Sequence, residues 1–201
     1  MTTATDGATR HRALPGDAAW WVFVTAEFTT LSMFFVACAF AWRDDPIGFG
    51  AAQAGLDPAV GFANALILIS SGYGAARGVR AAQRGSFGTA ARWLFVAALL
   101  GLCFVAIKGI EYHDKLSAGI HLSTHTFWFF YFFLTGFHFL HVLFGLGFLG
   151  VMAWQARNLG RAAGAAQPRA AEVRTGIESA AVFWHMLDLV WVILLPLLYL
   201  R

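Results

Sequence analysis

Five long apolar stretches, over residues 18–42, 58–76, 93–112, 125–154 and 177–200, alternate with short polar connections along the chain. A helix rises about 1.5 Å per residue, so about 20 apolar residues cross the roughly 30 Å of bilayer hydrocarbon. The pattern predicts an all-α, polytopic membrane protein, a five-transmembrane-helix bundle spanning residues 18–201. Residues 1–17 are polar and lack an apolar core, which reads as a mobile N-terminal tail and not as a cleaved signal peptide. Trp20 and Trp21 at one end of the first stretch and Trp42 at the other suit the two interfacial belts. The second stretch carries Asn64, Ser70, Ser71, Gly72, Gly74 and Gly78, and small residues at helical spacing let backbones approach, so it is expected inside the bundle. The 43–57 connection is acidic and contains Pro46; residues 113–124 read as a polar turn.

Composition changes this picture little. Of 201 residues 59% are hydrophobic and only 12% charged, far more apolar than a soluble domain. The formal charge of +3 would admit nucleic acid, but the arginines sit in the connections between spans, where the bilayer accounts for them, and no nucleic-acid partner is expected. Ten of the 14 Lys and Arg fall in the tail and in the second and fourth connections. By charge asymmetry the N-terminus is cytoplasmic and the C-terminus outside. Cys38 and Cys103 lack pairing or metal spacing and read as small buried residues.

Ionisable groups at lipid depth are costly unless they face other protein, so they mark the candidate chemistry. Glu27 in the first span, His141 in the fourth, and His185 and Asp188 in the fifth fall at similar depths, with Ser71 beside them, and His138, Glu178 and Asn64 are the further polar candidates on these helices. Helical spacing puts Glu178, His185 and Asp188 on one face. They are expected to form one intramembrane polar network. Glu27 reads either as a carboxyl that fixes packing or as a proton-linked group, and the histidines either as network members or as haem or metal ligands. At the outer rim Lys108, three residues before Glu111 and its neighbour Tyr112, suits an ion pair with both side chains snorkelling to water. His113, His121 and His125 read as surface histidines, a zinc site being the alternative; no spacing requires a metal.

Two motifs resemble a known family. Residues 176–191, GIESAAVFWHMLDLVW, resemble the last-helix motif of subunit III of haem-copper cytochrome oxidases, and residues 135–142, TGFHFLHV, with Gly145, its penultimate helix. Glu111-Tyr112, Asn64 with Ser70-Ser71-Gly72, and Glu27 are similar in turn and in family order. The resemblance implies a non-catalytic accessory subunit of a respiratory electron-transport complex in the bacterial inner membrane. Its partners would be the large haem-copper catalytic subunit and membrane lipid. It implies no redox cofactor of its own, with bound phospholipid as a further expectation. Members commonly have seven helices, and many carry Gln where this chain has Lys108. A five-helix form with that Lys is similar to the branch associated with nitric oxide reductases and denitrification. Two alternatives stand beside it: a bis-histidine membrane cytochrome using His138 or His141 with His185, and a small proton-linked transporter built on Glu27 or Asp188.

Overall fold

A computed structural model describes residues 18–162 and 167–200; the expected tail, 1–17, lies outside the described residues, as does the side chain of Trp20. Six α-helices follow in order: α1 Ala18–Asp44, α2 Pro46–Gln53, α3 Pro58–Gln83, α4 Phe87–Ser117, α5 Thr126–Arg161 and α6 Gln167–Tyr199. All but α2 are long and apolar enough to cross a membrane, and the chain is a multi-pass membrane protein.

The helix boundaries differ from the expected ones for local reasons. The 43–57 connection holds a helix of its own, α2, because Asp45 caps it through a hydrogen bond from the Gly48 N–H (2.9 Å) and Pro46 fills its first turn. The same Asp-Pro pairing recurs at Asp57-Pro58, where Asp57 accepts from the Ala59 N–H and opens α3. Gly85 and Gly119, both at positive φ, end α3 and α4 with paired reverse hydrogen bonds, Ser86 to Ala81 and Ile120 to Lys115. Helices α4, α5 and α6, with 31, 36 and 33 residues, run well past the apolar windows because their polar ends continue helically through the interfacial zone. The first five residues of the expected turn at 113–124 are thus the last turn of α4.

Helices α3, α4, α5 and α6 form a ring in which each packs on two neighbours, while α1 and α2 lie against α5. Small residues set the spacing. A Cβ on Gly74 would meet Ala97 of α4, and one on Gly78 would meet Leu94, so α3 and α4 pack at near-backbone distance. The centre is filled by Trp184 of α6, fully buried against Gly101 of α4 and Gly145 of α5, where added Cβ atoms would fall 2.7 and 2.9 Å from the indole. Cys38 is buried, but Cys103, expected to be so too, is exposed, because its side of α4 faces outward.

Candidate functional site

The polar side chains divide into separate groups. At the end of the bundle where α3 begins and α4 ends, Lys108 is fully buried. Its ammonium donates to the Tyr199 hydroxyl (2.6 Å), to the Tyr131 hydroxyl (2.9 Å) and to Glu111 Oε2 (3.2 Å). Both tyrosine hydroxyls donate onward to Glu111 Oε1, each at 2.7 Å. Three donors of one ammonium therefore find three acceptors, and the carboxylate closes the ring across α4, α5 and α6. The rings of Tyr112, Tyr131, Trp191 and Tyr199 lie 4.5 to 5.4 Å from the Lys108 nitrogen. The ion pair stands at the expected spacing, but Lys108 does not snorkel: the aromatic cage seals it and the ring supplies what water would have. Tyr112 turns aside and donates to Thr135 (2.7 Å), whose hydroxyl donates to the Tyr131 carbonyl.

Deeper along α5, His141 faces α1. Its Nδ1 lies 2.8 Å from the Phe137 carbonyl, which can only accept, so the hydrogen belongs on Nδ1. Nε2 stands 3.4 Å from Glu27 Oε2, close enough for an ion pair but not aligned as a hydrogen bond. Glu27, His138 and His141 line a cavity of about 10 Å³, about the least that admits a single water.

His138, one turn from His141, is buried with neither ring nitrogen hydrogen-bonded among the described residues. It stacks on Trp191 (5.4 Å between centroids) and meets the edge of Phe104. Asn64, also fully buried, reaches the Phe104 carbonyl at 3.5 Å through its amide nitrogen and leaves its oxygen unpaired.

On the opposite side, α6 presents three polar residues to α3. Glu178 accepts from Gln83 (2.8 Å), and His185 Nδ1 lies 3.2 Å from Asp188 Oδ2, both against Gly72, where a Cβ would collide with the Asp188 carboxylate. Ser71 donates to the Ala97 carbonyl (2.6 Å) and accepts from the Trp184 indole N–H (3.0 Å).

The single network expected from depth is therefore not formed. Azimuth separates these residues, because Glu27 and His141 face each other between α1 and α5, beside Met186, Leu187 and Val190 of α6, while His185 and Asp188 lie against Gly72 of α3. The bis-histidine arrangement meets the same obstacle, since His141 and His185 turn toward different neighbours. His125 is a helix cap: its Nδ1 accepts from the Phe127 N–H, and its Nε2 meets Asp45 at 3.2 Å. The Gly48 amide and then His125 hold the Asp45 carboxyl below the usual carboxylate range. Among the described residues no trio of His, Cys and carboxylates is placed to hold a metal ion. Sequence reasoning missed Tyr131, Tyr199, Gln83 and Trp184 as hydrogen-bond partners; an intramembrane lysine needing three acceptors was the available signal for the tyrosines.

Residues 19–201 are matched by the family model for cytochrome c oxidase subunit III. The chain belongs to this family. Cytochrome c oxidase subunit 3 of Synechocystis sp. is 34% identical over 137 residues, covering 68% of this chain and 54% of its own length. That of Thermostichus vulcanus is 32% identical over 136 residues, covering 68% and 63%. Subunit 3 of the cytochrome bo(3) ubiquinol oxidase of Pseudomonas aeruginosa is 34% identical over 137 residues, covering 68% and 61%. This family member thus spans between half and two thirds of the length of these curated relatives.

Proposed function

We propose that this protein is an accessory subunit of a haem-copper respiratory complex, packed in the membrane beside the large catalytic subunit and carrying no redox centre. The family match over residues 19–201 carries this reading. The chain runs from a cytoplasmic N-terminus to an outer C-terminus, which places the eight arginines at 77, 80, 84, 92, 157, 161, 169 and 174 on the cytoplasmic side. Residues 18–201 act as one membrane domain. Within it the Lys108 ring and the Trp184 layer hold the bundle, and the Glu27–His141 pair supports proton uptake by the partner. The relatives named above are subunits of cytochrome c and ubiquinol oxidases, which favours an oxygen-reducing partner. A nitric oxide-reducing partner is the second reading, favoured by Lys108 at the position where many family members have Gln.

Affinity purification in mild detergent tests both. The expected result is co-purification of a haem-copper large subunit, whose haems and substrate separate the oxygen and nitric oxide readings. A Soret band from the chain purified alone would overturn the proposal in favour of a bis-histidine cytochrome.

A further inference from the structure

The small cavity between α1, α5 and α6 is lined by three polar side chains, Glu27, His138 and His141, and otherwise by apolar ones, Val190 of α6 among them. Elsewhere on these helices polar groups are settled on the backbone of their own helix. Thr25, Thr29, Thr30 and Ser32 of α1 each donate to the carbonyl four residues back, and His141 does the same through Nδ1.

His138 is the exception. Its ring is only 2% exposed, stacked on Trp191 and set against the edge of Phe104, and neither nitrogen has a hydrogen bond among the described residues. Glu27 Oε2 is a second buried polar atom here without one, because the 3.4 Å contact from His141 is not aligned. At bilayer depth lipid offers such atoms no partner, and each left unpaired carries the cost of its lost hydration. A cavity walled only by apolar groups stays dry, whereas a polar one large enough for a water, with two to four polar partners, holds it. At about 10 Å³ and with three polar residues on its wall, this cavity is of the second kind.

We propose that Glu27, His138 and His141 form a binding site for one internal water, which donates to Glu27 Oε2 and bridges it to a ring nitrogen of His138. A neutral imidazole carries one N–H and one lone pair, and water both donates and accepts, so either tautomer of His138 completes the bridge. His141, on the same wall, is the third partner. A bridging water is nearly as favourable as a direct hydrogen bond. His138 thereby acts as a positioning residue: it holds the Glu27 carboxyl from α5 through the water, where the direct contact from His141 is too poorly aligned to do so. The site stands on its own occupancy, whether or not the Glu27–His141 pair supports proton uptake.

Cryo-electron microscopy of the complex in which the chain assembles, at a resolution where ordered waters are seen elsewhere in it, tests this. One density peak is expected within hydrogen-bonding distance, about 2.7–3.2 Å, of both Glu27 Oε2 and a His138 ring nitrogen. His138→Phe keeps an aromatic ring between Trp191 and Phe104 but removes both nitrogens, and the peak should vanish. Val190→Ile keeps all three polar residues and adds a methyl group to the cavity wall, and it too should expel the water. No peak in the wild-type protein, a peak that contacts Glu27 and His141 but not His138, or a peak that persists in either variant would overturn the proposal.

Discussion

The Lys108 ring and the Glu27–His141 pair both place an acid and a base inside a membrane protein, and they are built in opposite ways. In the ring every donor of the ammonium has an acceptor, two tyrosines relay to the same carboxylate, and three helices are tied together. The pair has one contact of 3.4 Å, an unaligned carboxylate oxygen and an adjacent His138 with no hydrogen bond among the described residues. Polar networks sealed in low dielectric are rigid when satisfied and changeable when they are not. The ring therefore reads as a clamp, while the pair is loosely held, which is why proton uptake is proposed for it and not for the ring.

The sharpest way to break this contrast is Lys108→Met. Removing one partner of a buried pair leaves an uncompensated charge, so a loss of about 3–5 kcal/mol is expected, seen as a lower melting temperature in detergent. K108M/E111Q should recover most of it; if the double variant is as unstable as the single one, the ring is not the clamp.

The layer beneath the pair is the next target. Gly145→Ala forces a methyl group against Trp184, and overpacking of this kind costs about 1–3 kcal/mol. Wild-type melting in this variant would mean that the indole moves freely and does not seal the bundle.

The smallest effect is expected at a solvent-exposed acid–base contact, Asp45 with His125. Its carboxyl is held below the ordinary carboxylate range by the Gly48 amide and His125, so the α2 cap contributes fully above that range and fades as pH falls through the lowered value. Hydrogen-exchange protection of the Gly48 amide should fall in acid, and D45N should remove that pH dependence while keeping a cap. Acid-sensitive protection that persists in D45N would assign the effect to another group.

What could be read from residues alone followed the one-dimensional physics of the bilayer. Apolar length located five crossings, the i, i+3 spacing located Lys108 with Glu111, and the i, i+7 and i, i+3 spacings put Glu178, His185 and Asp188 on one face. Partners on other helices were not legible, because depth is set by residue count and azimuth by packing. Glu27 and His185 share a depth by residue count but belong to different interfaces, the first with α5 and the second with α3. Lys108 was misplaced in water for a related reason: its acceptors, Tyr131 and Tyr199, are 23 and 91 residues away in the chain. The helix α2 was signalled by Asp45-Pro46, a start motif hidden by the acidic character of its surroundings.

Glu27→Gln separates the locked ring from the open pair. Turnover of the assembled complex should be measured across pH beside its melting temperature. Assembly and melting should be unchanged, with an altered pH profile of proton-coupled turnover. An unchanged profile at every pH, or a loss of stability comparable to that of Lys108→Met, would contradict it.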